Sequence, residues 1–587
     1  MHLCRTYDIV ACLTRSLPRS KRPAATAARL LCALAGGLAL VLSAGATDYY
    51  VNHETGDDTL DGLSAVVETA ERGPFKTILR AIKMAAAGDT VHLAPTERPY
   101  PESVKLYTYP TWYHPGGEPG KPLTIDGHGA TVTGAEPCPP EGWKPWKGRV
   151  YRRDDFPTTG GLMIDGARVH GIRAATVLAP GDWLYAPATR HLYWHPAATP
   201  LDEVQLIYPD AEPETIDPKR WGRAGPRGVV RLVGLDAPAA LVIAGERTAA
   251  VTVKERLEPG QWTNEDGTLY YHLPEGREFA DMEIEAVVRV NGVQIAGSTS
   301  HVVVRNLHTT RFSNDGFNIH ENAKDLLFQN IIATYCFDEG YSAHTDVESE
   351  IDGATFLFNA SGLTNVHRAH TRARNLLIAF NDGIGYAGMD ESIEEVENLI
   401  LIDNGRQLSG VRLTARNVLA INTGTGSRPG GFELSGEVVL ERLTAMGVHG
   451  VRLNAGAAVA LRDTVFGGHG DWHIRGDDPD QRLATVEQLV MDPALTISSV
   501  GSRHPWRAKP LSAWLAEHHP GQVRTADIPA FDAFMRGDGQ RGIPGGEGAG
   551  CSPELIEKAV DFLLQHTDRW NAVGASAEDA PGHRPQN

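Results

Sequence analysis

Cysteine is scarce in this chain, and half of it lies near the start. Cys4, Cys12 and Cys32 precede residue 46, and only Cys138, Cys336 and Cys551 follow. Three thiols close at most one bridge, which excludes a disulfide-stapled scaffold. Cys336 falls in an apolar stretch and reads as a small buried hydrophobe. Positive charge is also short. The formal net charge is −18, and residues 1–46 carry six Lys/Arg against one Asp, which leaves the remainder near −23. That balance argues against nucleic acid or an anionic membrane as partner. It also gives a polyanionic glycan no long-range attraction, so local basic groups or a bridging cation would have to compensate. No His-x-x-x-His or Cys-rich pattern points to a transition metal. Aromatics make up 7%, whereas 62 Gly and 37 Pro mark a turn-rich chain.

Long apolar runs are missing as well, with one exception. LLCALAGGLALVLSAGA at 30–46 follows Arg19, Lys21, Arg22 and Arg29 and ends in Ala44-Gly45-Ala46. A basic stretch, an apolar run and a small-x-small end read as a signal peptide over 1–46 rather than a span. The expectation is an exported protein, secreted, periplasmic or at the cell surface. It is expected to be a monomer with no stable membrane span after cleavage.

What the chain does have is a repeat. Asn306 to His344 nearly repeats itself at an offset of 24: Asn306 maps to Asn330, Asp315 to Glu339, Gly316 to Gly340, Phe317 to Tyr341 and His320 to His344. Glycine recurs at Gly362, Gly383, Gly405, Gly424, Gly447 and Gly467. A period of about 22, made of short apolar runs between Gly/Asn/Asp turns, is too short for helical hairpins and suits one coil of a β-solenoid.

In order, the chain predicts an N-terminal cap with first coils over 47–137. A β-rich insertion follows at 138–286, then the main solenoid at 287–480, a helical C-terminal cover at 481–571 and a disordered tail at 572–587. In the first block Ile78, Ile82 and Ala85 or Ala86 share a helical face, with Thr77 as N-cap and Gly88 as the stop. In the insertion, Trp183 with Leu192-Tyr193-Trp194, and Trp262 with Leu269-Tyr270-Tyr271, read as two aromatic hairpins; MIDGARVHGIR at 163–173 reads as a third. Trp183 and Trp262 suit either a small core or a sugar-stacking platform. Near the C-terminus, 510–519 and 553–566 read as helices, the second with Ser552 and Pro553 as N-cap and N1. DYYV, a Gly/Asp loop, then PFKTI..AI..A..GDTV..AP resembles the opening of secreted right-handed parallel β-helix proteins of the pectate-lyase-like superfamily. The resemblance covers roughly 48–135 and 290–470. It implies an all-β right-handed parallel β-helix and a carbohydrate-active protein, such as a β-helix glycoside hydrolase, polysaccharide lyase or uronate epimerase.

Side chains alternate along a strand. Phe317, Ile319, Tyr341 and Ala343 are therefore expected inward, and Asn318, His320, Ser342 and His344 outward. The residues before glycine form a second ladder: Asp315, Glu339, Ser361, Asp382 and Asn404, with Asp338 beside Glu339. Such ladders are ordinary turn chemistry in solenoids. Carboxylates and histidines crowded on adjacent rungs, however, are costly unless they share protons, and shared protons are what acid–base catalysis uses. The catalytic candidates are Asp315, Asp338, Glu339, His344 and Asp382. The substrate-binding candidates are His320, Tyr341, His367, Arg368 and Arg372. Asp315 and Glu339, one rung of ~5 Å apart, fit a retaining glycosidase pair, and Glu339 and Asp382, two rungs or ~9.6 Å apart, the edge of the inverting range.

Hydrolysis of a poly- or oligosaccharide is thus the first expectation. A lyase or uronate epimerase would instead use His344 as base with Arg368 or Arg372 neutralising a carboxylate. A non-catalytic glycan-binding solenoid is a third class, which outer-face aromatics would mark. The sequence assigns no certain cofactor; calcium is the ion that the acidic run His344–Glu350 would suit.

Overall fold

The computed structural model describes residues 45–565 with interruptions, the longest at 196–203, 476–482, 501–507 and 529–548. The expected leader, except its last two residues, and the expected tail lie outside the described residues. Among the described residues, no helix is long and apolar enough to cross a membrane.

The chain is an all-β parallel β-solenoid. Asp48–Val51 pairs in parallel with Thr90–Leu93, that strand with Leu123–Asp126, and that in turn with Ser300–Arg305. Phe317 stands on Tyr341, Tyr341 on Leu363, Leu363 on Tyr386, Tyr386 on Leu408 and Leu408 on Phe432. Each of these is at most 2% exposed. A single coil cannot bury such side chains alone; stacking closes the core. Gly316, Gly340 and Gly362 have no room for a Cβ, which would fall within 2.8 Å of the carbonyl of Gly340, Gly362 and Gly385 respectively. The glycine after Gly362 in register is therefore Gly385, not Gly383.

Asparagine holds the corners. Asn306, Asn330, Asn375, Asn398 and Asn417 adopt φ between +50° and +62°, a region Asn tolerates because its short amide bonds locally. Asn398 donates to Asn375 at 3.0 Å and Asn417 to Asn398 at 2.7 Å. A second ladder is internal. Asn359, Asn381 and Asn404 are at most 2% exposed. Asn381 accepts from the Asn359 amide at 2.8 Å and donates to Phe356 O and Asn404 Oδ1 at 3.1 and 2.8 Å. Asn381→Ala orphans a buried amide and a buried carbonyl, and urea unfolding should show a loss of about 3 kcal/mol.

Helix α1 (Ile78–Met84) buries Ile78, Ala81 and Ile82 in the solenoid core, and Thr77 accepts from the Arg80 amide at 3.2 Å. It ends at Met84, not at Gly88. Helix α2 (Leu511–His518) places Leu511, Trp514 and Leu515 in that core. Helix α3 (Pro553–Gln565) packs Leu555, Ile556, Ala559, Val560 and Leu563 on an outward stripe of Leu357, Ala379, Ile402 and Ile421. That cover explains why these strands are apolar on both faces.

The interval 138–286 folds into antiparallel sheets. Trp183–Ala186 pairs with His191–Trp194, Trp262–Glu265 with Thr268–His272, and Gly161–Ile164 with Ala167–Val169. Trp183 and Trp262 are 1% and 2% exposed. They fill cores, which removes them from any sugar-stacking platform.

Candidate active site

FSNDG and FDEG occupy equivalent turns on adjacent coils. Phe312 and Phe337 are buried. The Phe337 amide donates to Phe312 O at 2.8 Å and the Gly316 amide to Glu339 O at 2.9 Å, which locks the two turns together. Phe312 enters the solenoid core while Phe337 packs outside it with Ala135, Met163 and Val287, and the acids that follow the two aromatics meet. Carboxylate oxygens of Asp315, Asp338 and Glu339 lie within 4.8 Å of one another. They descend in depth: Asp338 is exposed, Glu339 half-buried and Asp315 2% exposed.

Their surroundings differ. Asp315 accepts from Asn318 Nδ2 at 2.6 Å, Ser342 Oγ at 2.5 Å and the Glu339 amide at 3.1 Å. Burial raises its pKa, and these donors pull against burial by favouring the anion. Nothing opposes the rise at Glu339. Burial, then the charges of Asp315 and Asp338, push its carboxyl up to about 10. Asp338 is raised by burial and by Asp315. All three carboxyls are raised, and the cluster's proton sits on Glu339, hydrogen-bonded to Asp315 and Asp338. Three carboxylates at this spacing also offer the oxygen ligands that a hard divalent cation takes.

Asn318 and Ser342 were read from the sequence only as outward-facing neighbours of the histidines, not as members of the acid site. The available signal was the alternation that sets them opposite inward Phe317 and Tyr341. Arg168 was also missed. It reaches the site from the insertion, where Gly161 packs so tightly on Phe337 that a Cβ would fall 2.3 Å from the ring. Arg168 Nη2 is 2.5 Å from Asp382 Oδ2, its Nη1 donates to Cys336 O, and the guanidinium lies 5.9 Å from the Phe337 ring centroid. Burial lowers the pKa of Arg168, against the pull of Asp382. The insertion thus walls one side of the carboxylates.

Several expected members lie elsewhere. Asp382 is not on the rung above Ser361. Leu363 pairs with Tyr386, so Ile384 takes that place and the two-rung partner for Glu339 falls away. Asn404 belongs to the internal ladder. Tyr341 is 0% exposed and donates to Ser349 at 2.8 Å inside the core, so it cannot touch a ligand on the outer face. His320 and His344 sit at the far end of the same strands, five residues or roughly 16 Å from the acids. Their rings stack at 4.4 Å and 3°, with His367 edge-on to His344 at 6.2 Å. Burial lowers the pKa of both, that of His344 to about 4. Arg368 is held by Asp346 at 2.6 and 2.8 Å. Arg372 lies on the next face, 3.6 Å from Glu395. In the acidic run after His344, Asp346 is taken by Arg368 and Glu348 by Lys324 at 2.6 Å. The single expected site is two: a carboxylate cluster and a histidine corner.

No family model and no curated protein matches the chain. It is similar to a solved "Glycoside hydrolase" at 12% identity, over 78% of this chain and 96% of that one, with a TM-score of 0.41. It is also similar to the structure described as "The complex structure of XylC with xylose" at 12% identity, over 78% and 77%, with a TM-score of 0.35. Likeness at this level leaves the chemistry to be argued from the side chains.

Proposed function

We propose that the chain is an exported glycoside hydrolase that cleaves a poly- or oligosaccharide at the Asp315–Glu339 pair. The observation that carries this is the opposed surroundings of two adjoining carboxyls, with donors gathered on Asp315 while burial, like charge and hydrogen bonds to Asp315 and Asp338 all favour a proton on Glu339. Two carboxyls with opposed proton affinity are what glycoside cleavage requires. Glu339 donates its proton to the departing glycosidic oxygen while Asp315 attacks the anomeric carbon. Water then displaces Asp315, and Glu339 takes the water's proton. The nearest oxygens lie within 4.8 Å of one another, which leaves no room for the water that an inverting pair holds across about 6.5–9.5 Å. Asp338 keeps the proton on Glu339 through its charge. The basic leader and small-x-small end support export.

The lyase or epimerase reading is less well supported. Its base and neutralising group, His344 and Arg368, lie at the histidine corner, and Asp346 occupies Arg368. The protein is tested against a panel of neutral and uronic-acid glycans, with reducing ends and absorbance near 235 nm recorded together. Reducing ends without absorbance are expected. Both signals together would replace hydrolysis by β-elimination, and neither would leave a binding module.

A further inference from the structure

A second cluster lies on the first coils and plays no part in the chemistry above. His92 points outward from Thr90–Leu93, and His128 sits at the turn after Leu123–Asp126 with φ of +49°. Their rings stack at 5.1 Å, and Tyr50 covers the other face of His92 at 5.0 Å. His92 Nδ1 faces His128 Nε2 at 2.8 Å.

The outer nitrogens decide what that contact means. His92 Nε2 is 3.0 Å from Asp48 Oδ1, and His128 Nδ1 is 3.7 Å from Asp126 Oδ1. Asp48 lies within hydrogen-bond distance of His92 Nε2 and holds an N–H there, which leaves the lone pair on His92 Nδ1. Asp126 is too far from His128 Nδ1 to fix that ring's tautomer. His128 Nε2 meets the His92 lone pair at 2.8 Å, where it either donates an N–H or, with its proton on Nδ1, shares a cation with it. Asp126, 3% exposed, is kept anionic by Arg305 Nε at 2.7 Å and Asn306 Nδ2 at 3.0 Å. A ligand atom of Asp126 lies within 4.8 Å of one from each histidine.

We propose that His92, His128 and Asp126 bind a divalent transition metal of the zinc class. Two imidazole nitrogens and a carboxylate are a common zinc donor set, with a fourth place for water. Asp48 would orient His92 from behind. Tetrahedral bonds of about 2.0–2.1 Å set the nitrogens about 3.3 Å apart, so the rings must part by about 0.5 Å, which an exposed turn at His128 permits. The metal would staple the second coil to the turn of the third. The ligands lie 36 residues apart in sequence, beyond any short metal motif.

The full chain, stripped with chelator, is titrated calorimetrically with zinc chloride and its thermal midpoint followed. One equivalent bound in the micromolar range or tighter is expected, with a raised midpoint. His128→Asn tolerates the positive φ and should lose both effects, as should His92→Ala. His320→Ala with His344→Ala should retain both. No binding by the native chain would overturn the site and leave a shared proton between the rings. Undiminished binding in His128→Asn would place the metal elsewhere and overturn it equally.

Discussion

Glu339→Gln lowers kcat on the natural glycan by about 10²–10⁴-fold, the size expected when a general acid is lost. The amide keeps the shape and cannot donate a proton to the leaving oxygen. On a nitrophenyl glycoside of the same sugar the loss is much smaller in the first step, because that leaving group needs no proton. A burst of nitrophenol followed by slow turnover should then appear, as water lacks its base. Asp315→Asn removes the attacking anion while Asn318 and Ser342 still donate, so both substrates fail alike and no burst forms. Equal losses on both substrates in Glu339→Gln would remove it as the acid. In the native chain the raised pKa of Glu339 sets the alkaline limb. Activity persists through neutral pH and falls as Glu339 loses its proton.

Glu394→Gln makes the protein more stable near pH 8, by up to about 3 kcal/mol. Glu394 occupies an inward position, in register between Thr371 and Leu413. It is 1% exposed, and neither carboxyl oxygen has a hydrogen-bond partner. Gly388 makes room for it; a Cβ there would fall 2.2 Å from Oε2. Burial raises its pKa to about 7, with the neighbouring Ser392 hydroxyl and then Arg412 pulling the other way. The folded state therefore binds this proton more tightly than the unfolded chain, whose glutamate titrates near 4.3. The contribution is fully present below that value and is lost as pH rises to about 7. Denaturant midpoints across this window should slope downward in the native chain relative to Glu394→Gln. Parallel curves would mean that the carboxyl is paired and ionised.

The repeat from Asn306 to His344 was enough to specify the solenoid. Inward Phe317, Tyr341 and Leu363 recur at the coil length, and coils that share it must stack to bury them. The rung holding Asp315 over Glu339 followed from that offset. The three hairpins were legible separately, from the aromatic strands at Trp183 and Trp262 and from MIDGARVHGIR at 163–173, because their strands pair locally.

Register beyond the second coil did not follow, since coil lengths vary and each variation shifts every later rung. Asp382 fell two residues short of its expected place for that reason. A five-residue strand also separates His344 from Glu339, and distance along a strand is invisible when residues are ranked only by face. Arg168 and the His92–His128 pair depend on contacts made across long sequence separations. The proton on Glu339 depends on burial by those neighbours. The sequence by itself determined the coil, its inward face and the paired acids, because these rest on local periodicity. The tertiary structure alone decided which polar groups meet and which lose water, because desolvation and charge coupling act through space.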